Sequence, residues 1–137
     1  MKTNITRLTF FLIIITGISL KTMAIDIGYI NVHWSTNQNC NPLYTADRWD
    51  VSLVVLNYPS LTVLCPLQTF QFQNESSGYY PFYESCSCYD SQAQYLVIAT
   101  VRLIRNNQVI GQGECRSVMT CYDLYQLEDI YVTCSCD

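Results

Sequence analysis

Positive charge is scarce in this chain. Its 137 residues contain 7 Lys or Arg against 11 Asp or Glu, which gives a formal net charge of −4. Proteins that bind nucleic acid neutralise phosphates with Lys and Arg, and adsorption to anionic membranes uses the same residues. We therefore expect no nucleic-acid partner and no attachment to a membrane surface.

The chain also lacks an apolar run long enough to cross a membrane. Its longest run, Leu8–Leu20, has 13 residues, whereas a spanning helix needs about 20. Lys2 and Arg7 precede this run, and the small residue Ala24 follows it. A basic start, a short apolar run and a small-residue end are typical of a cleavable secretory signal peptide. An uncleaved signal anchor is the alternative.

Cleavage after Ala24 would leave residues 25–137 as a single secreted, extracellular domain. It removes Lys2, Arg7 and Lys21 but no acidic residue, so the formal charge of −4 becomes −7. No lysine remains in the mature chain. Such a charge attracts basic molecules over long range, so we expect an extracellular protein partner, most favourably a basic one. The oligomeric state does not follow from the sequence.

Catalytic chemistry has little support in the sequence. His33 is the one histidine, and no serine lies in a Gly-x-Ser-x-Gly motif. In a strand, an outward-facing or hydrogen-bonded histidine is the simpler interpretation. Glu128 and Asp129 lie at a loop end without calcium-loop spacing and are interpreted as surface charge. We expect no enzyme, no catalytic residue and no cofactor or metal site, and rank an extracellular hydrolase last.

Apolar and polar residues alternate through most of residues 25–137, which predicts β-strands. In one predicted hairpin, Tyr95–Leu103 is followed by a turn containing Asn106 and Asn107, two residues that tolerate positive φ. Leu61–Cys65 is predicted as a strand that Pro66 ends. No segment has a sustained helical period. We expect an all-β fold, a disulfide-stapled antiparallel β-sandwich of about seven or eight strands.

The cysteines are even in number, which in an exported protein indicates a disulfide framework. Roughly a hundred pairings are open to eight cysteines. Two similar motifs, Cys86-Ser87-Cys88 and Cys134-Ser135-Cys136, each present two sulfurs on one face of a strand. If these strands are antiparallel neighbours, Cys86 pairs with Cys136 and Cys88 with Cys134. The predicted disulfide cysteines are Cys40, Cys65, Cys86, Cys88, Cys115, Cys121, Cys134 and Cys136.

The sequence leaves the remaining disulfide pairs open. Cys115 and Cys121 can pair with each other across a short loop, or with Cys40 and Cys65. Zinc held by the two Cys-Ser-Cys motifs is the functional alternative, but structural zinc pairs usually have two or more intervening residues. An oxidising compartment also consumes thiolates, so disulfides are favoured.

Gly113-Glu114-Cys115 and the terminal Cys134-Ser135-Cys136 together resemble part of the cystine-knot growth factors. The resemblance implies a secreted, often dimeric ligand that binds a receptor. The family's ring requires Cys-x-Gly-x-Cys, and this chain has Gly111 where the first cysteine of that motif would be. A cystine-knot-like ligand is therefore kept as an alternative function.

Tyrosine is the most unusual component, with 11 residues, all downstream of Ala24. Exposed tyrosine offers a large contact area with little entropy to lose. Tyr79, Tyr80, Phe82 and Tyr83 are therefore the candidate binding patch, with a strand or core role as the alternative. We expect a secreted binding protein, and as an alternative an inhibitor or toxin-like effector that acts through the Ser35–Arg48 loop. Asn74, in Asn-Glu-Ser, is a predicted glycosylation site.

Overall fold

The computed structural model describes residues 24–27, 29–37, 46–73, 77–83, 87–126 and 128–136. In these ranges the elements are β1 (Ile25–Asp26), β2 (Tyr29–Thr36), β3 (Arg48–Asn57), β4 (Val63–Gln73), β5 (Ser77–Tyr83), β6 (Ser87–Cys88), β7 (Gln94–Arg105), β8 (Gln108–Thr120), α1 (Cys121–Tyr125) and β9 (Glu128–Cys136). The predicted all-β class is confirmed.

Several predictions concern residues outside these ranges. The signal peptide lies there apart from Ala24, as do the Asn74 glycosylation site, Cys40 and Cys86. Positions 38–45 of the proposed effector loop also lie outside the described residues.

Seven strands form one sheet in the order β4-β3-β7-β8-β9-β2-β5, and β1 pairs with β6 in a second, two-stranded sheet. Every pair of neighbours is antiparallel except β2 and β9, which run parallel. The large sheet is thus mixed and hydrogen-bonded continuously from one edge to the other, and it curls on itself. The predicted sandwich of separate antiparallel sheets is not confirmed.

The core follows from the two-residue period of the strands. On β3, alternate residues from Trp49 to Val55 are buried, and on β7 the same holds from Tyr95 to Leu103. Ile30, Val32 and Trp34 form the buried face of β2, as their spacing predicts. Each large apolar side chain that is fully buried contributes about 1.5–3 kcal/mol relative to exposure, so these faces fix which side of the sheet turns inward.

The predicted hairpin is present as β7 and β8. Asn106 and Asn107 have φ values of 49° and 61°, as a two-residue turn with left-handed residues requires. The return strand β8 runs to Thr120, where Gln94 of β7 still pairs with it.

Pro66 does not end a strand, contrary to the prediction. β4 continues through it from Val63 to Gln73. β4 lies at the edge of the sheet and has β3 as its one neighbour. A proline on the solvent side of such a strand removes no hydrogen bond of the ladder. The register with β3 shifts between Leu53 and Val55, which accommodates the extra residue as a bulge.

Two glycines allow β9 to fold closely over β8. A Cβ on Gly113 would lie 2.5 Å from the carbonyl oxygen of Thr133, and one on Gly111 would lie 2.9 Å from that of Ser135. Such distances are far inside van der Waals contact with backbone atoms, which cannot rotate away. The sheet can therefore curl at the β8–β9 junction because both positions lack a side chain.

The disulfide pairing differs from the prediction. Cys88 is bonded to Cys121, so the predicted Cys88–Cys134 pair is wrong, and Cys115–Cys121, one of the pairs that the sequence left open, is excluded. The reason is topological: Cys88 lies on β6, which pairs with β1 rather than β9, and the start of α1 brings Cys121 to it. The Cys134 thiol instead donates to the carbonyl oxygen of Val101 at 3.6 Å.

Three other cysteines can be placed. Cys65 and Cys136 are also disulfide-bonded, whereas Cys115 is a free, half-buried thiol, so the expectation that all eight cysteines pair does not hold there. Burial raises the pKa of the Cys134 thiol to about 12, and this thiol is therefore protonated at neutral pH.

Candidate binding surface

Three rings lie side by side on the outer face of the strands β5, β2 and β9. His33 on β2 is directly opposite Tyr79 of β5 and Tyr131 of β9. Its ring centroid lies 4.7 Å from that of Tyr131, nearly parallel, and 4.9 Å from that of Tyr79. Aromatic pairs at such distances contribute about 0.5–1.5 kcal/mol beyond burial. We call these three residues the tyrosine–histidine row.

Both tyrosines of the row are exposed to solvent. The exposed fraction is 68% for Tyr131 and 52% for Tyr79. On the opposite face of β2, Val32 and Trp34 are buried in the core. The packing of that inner face fixes the strand, and the strand pairing then places both tyrosines beside His33.

A hydrogen-bond network supports the row from one side. Asp129 Oδ1 accepts from Asn31 Nδ2 at 2.9 Å and lies 3.0 Å from His33 Nε2. A carboxylate only accepts, so His33 Nε2 carries the hydrogen. Tyr79 Oη donates to Asn31 Oδ1 at 3.2 Å. Asn31, only 3% exposed, thereby links the β9 carboxylate to the β5 tyrosine.

These bonds also set the charge state of Asp129. The hydrogen bond from His33, and next the one from Asn31, lower the pKa of the Asp129 carboxyl below its ordinary value. Hydrogen bonds donated to a carboxylate favour its charged form. Asp129 therefore stays negative throughout the neutral and mildly acidic range.

A groove borders the row. It encloses about 410 Å³ and is lined by His33, Trp34, Ser35, Ser77, Gly78, Tyr79, Tyr131, Val132 and Thr133. Ser35, Ser77 and Thr133 lie in register across the three strands, so a line of hydroxyl groups runs beside the line of rings. A second groove of about 540 Å³ lies on the other side of Thr133, with Arg102 and Glu114 in its lining.

The His33–Asp129 pair has the composition of an acid–base pair but lacks further catalytic parts among the described residues. No serine, threonine or cysteine of these residues is hydrogen-bonded to His33. A nucleophile has to lie within hydrogen-bond reach of its base. What the described arrangement offers is a flat aromatic surface with a fixed carboxylate.

Within the described ranges, no three His, Cys, Asp or Glu side chains lie close enough together to hold a metal ion. None of the helices in these ranges is long and apolar enough to cross a membrane.

The structure separates the residues of the predicted patch. Tyr79 is exposed, but Tyr80 is half-buried and its ring packs 4.4 Å from that of Phe70. Phe82 is fully buried, so its assignment to a binding patch was wrong. The physical reason is the strand period: Tyr80 and Phe82 face inward, and Tyr79 faces outward. The side chain of Tyr83 lies outside the described residues.

Sequence reasoning missed Tyr131 and Asn31 and interpreted Asp129 only as surface charge. A local signal existed, because Asn31 and His33, like Asp129 and Tyr131, are two residues apart and share a face. The signal was incomplete, since the network joins residues 98 apart in the chain. Nothing local shows that β2 and β9 are neighbours.

The chain matches no protein-family model, no curated protein and no solved structure. The functional interpretation of this surface therefore depends on its own geometry and charge.

Proposed function

We propose that this chain is a secreted, disulfide-cross-linked binding protein that contacts an extracellular protein through the tyrosine–histidine row. The observation that supports this most directly is the row itself, in which two exposed tyrosine rings are held on either side of His33. Tyrosine is enriched among the residues that dominate interface energies.

Rigidity strengthens the proposal. Binding costs free energy whenever mobile side chains become ordered at an interface. Here the rings are already ordered by stacking, by pairing across three strands and by the hydrogen bond from Tyr79 to Asn31. Less ordering is therefore needed on contact, and more of the contact energy appears as affinity.

Charge favours a basic partner. Loss of the predicted signal changes the formal charge from −4 to −7, and within the row's network Asp129 remains ionised. Complementary charge mainly raises the association rate and selects among partners. Association should consequently slow as salt is added.

Capture of extracellular proteins by the immobilised secreted protein, followed by cross-linking and mass spectrometry, tests this function. We expect one or more proteins to cross-link near β2 and β9. Tyr131→Ala should weaken binding of the captured protein about 30-fold, the loss typical of a central interface tyrosine. Tyr89→Ala is the matched control, because Tyr89 is similarly exposed at 62% but follows β6, a strand of the two-stranded sheet.

Equal binding by wild type and Tyr131→Ala would contradict the proposal. So would hydrolysis of an extracellular substrate that disappears in His33→Ala, because the surface would then be catalytic. Measuring both activities on the same preparations separates the two functions.

Export, processing and the layered fold belong to the same proposal. We expect the extracellular form to begin at Ile25 and to lose mass on enzymatic removal of an N-linked glycan from Asn74. The ring contacts of Phe70 and Phe72 on β4 with Tyr80 on β5 support two facing layers, as in a sandwich. Peptide mapping of the secreted protein checks the processing.

A further inference from the structure

Asp129 has an oxygen that the described residues leave open. Oδ1 accepts two hydrogen bonds, from Asn31 and His33, whereas no described residue bonds to Oδ2. The side chain is 48% exposed. A carboxylate can accept about four hydrogen bonds, so the outward oxygen is available to a donor from a partner.

Aromatic rings share the outer face of the sheet with this carboxylate. Tyr131 is two residues along β9 and shares the outer face with Asp129, and Tyr79 reaches the same network through Asn31. The face of an exposed tyrosine attracts cations within about 6 Å of its centroid. A fixed carboxylate and two exposed rings together suit a cation that is also flat.

The chain's own arginines do not fill this position. Among the described residues, Arg48 is paired with Asp50 and Arg116 with Glu114, and neither Arg102 nor Arg105 forms an ion pair with Asp129. Asp129 is therefore ionised, and none of the described arginines forms an ion pair with it. A basic partner would therefore meet, at Asp129, a negative charge that no described arginine neutralises.

We propose that Asp129, Tyr131 and Tyr79 form a receptor site for an arginine side chain of the partner protein. The inference rests on the proposed function and adds the chemistry of the contact. Arginine is favoured over lysine because its planar guanidinium stacks on aromatic rings while its N–H groups bind a carboxylate.

A small-molecule probe tests the site without knowledge of the partner. Isotope-labelled secreted protein is titrated with N-acetyl-arginine amide, and amide shifts are followed by NMR. We expect saturable shifts centred on His33, Asp129 and Tyr131. N-acetyl-citrulline amide, which has nearly the same shape but no charge, should cause shifts at least about tenfold weaker at equal concentration.

Two variants with the same change in charge make the test specific. Asp129→Asn should weaken the arginine response at least about tenfold. Glu128→Gln removes one negative charge from the neighbouring residue, which faces the other side of β9, and should leave the response within about twofold. Well-dispersed amide spectra establish that both variants are folded, and Tyr131→Leu tests the ring while retaining an apolar side chain.

The inference is overturned if arginine and citrulline act alike, if Asp129→Asn responds like wild type, or if neutral disaccharides shift these residues when arginine does not. It can also fail while the proposed function survives. In that case Tyr131→Ala weakens capture of the protein partner, whereas Asp129→Asn and an excess of the arginine probe leave capture unchanged.

Discussion

At the scale of one residue, the buried amide of Asn31 connects exposed groups on two neighbouring strands. Among the described residues it is the polar side chain that is buried, and both ends of its amide are used, one by Asp129 and one by Tyr79. Buried polar groups are retained when their hydrogen bonds are made. Asn31 therefore positions Asp129 on β9 and Tyr79 on β5. Because it is buried, we expect it to make no contact with a partner itself.

Replacing Asn31 with alanine should lower the free energy of unfolding by about 1–3 kcal/mol, because the network loses its shared donor and acceptor. The pKa of Asp129 should rise toward its ordinary value, since a hydrogen bond that favours the charged form is gone. Denaturant unfolding and an NMR titration of the carboxyl carbon measure these effects. Ser35→Ala, on an exposed position of the same strand, should change stability by less than about 0.5 kcal/mol.

Asp123 gives the fold a local pH dependence. Thr120 Oγ1 and N both donate to Asp123 Oδ2, at 2.7 and 2.8 Å, and Asp123 N donates back to Thr120 Oγ1. This capping box begins α1. The hydrogen bond from the Thr120 side chain, and then the one from its backbone, lower the pKa of the Asp123 carboxyl.

Because the folded pKa of Asp123 lies below the unfolded value, its contribution is present above the unfolded pKa and is lost as pH falls through the folded one. Unfolding midpoints measured at neutral pH and below pH of about 4 should differ more for wild type than for Asp123→Asn. An unchanged pH dependence in Asp123→Asn would contradict this role.

At the scale of the element, the close approach of β8 and β9 depends on the missing side chain of Gly113. Its absent Cβ leaves room for the Thr133 carbonyl, which would lie 2.5 Å away. In a flat sheet an alanine would fit at this position. Here the backbone of β9 comes so close to the position of the missing Cβ that even one methyl group has no space.

Gly113→Ala should destabilise the protein by at least about 1–3 kcal/mol, the usual cost of overpacking, because β9 must move away from β8. Thermal or denaturant unfolding measures the loss. Gln112→Ala provides the control, since Gln112 is exposed between the two glycines and should change stability by less than about 0.5 kcal/mol. A Gly113→Ala variant as stable as wild type would show that β9 adapts freely.

At the scale of the whole molecule, the two edges of the curled sheet meet through aromatic rings. Phe70 and Phe72 on β4 contact Tyr80 on β5, and Phe72 lies 4.8 Å from Trp34 in ring-centroid distance. Phe82 closes the same cluster from the buried side, with its ring 5.4 Å from that of Phe70. The strands at the two ends of the sheet are thus held together by side-chain packing.

This arrangement predicts opposite behaviour for two residues of one strand. Phe82→Ala should lower the free energy of unfolding by about 3–5 kcal/mol, because it opens a cavity where the sheet edges meet. Tyr79→Ala should cost about 1 kcal/mol, chiefly the lost stacking and hydrogen bond, and should weaken partner binding. Equal losses of stability in the two variants would mean that the inward and outward assignments are wrong.

Much of the fold was predictable because its causes are local. The alternation of β3 and β7 identifies their buried faces, and two adjacent asparagines identify the turn at Asn106 and Asn107. Less of the candidate site was predictable. Tyr79 was singled out, but Phe82 was placed on the wrong side of its strand, since neither residue's own neighbours reveal which face the core covers.

The amino-acid sequence by itself determined the extended backbone, the period of each strand and the position of the hairpin, because those depend on residues within a few positions of one another. Only the tertiary structure decided that β2 lies beside β9, that Cys88 meets Cys121 and that His33 lies between two tyrosines. Those contacts join distant parts of the chain. Their choice depends on the total burial and pairing of all the strands, which no single segment encodes.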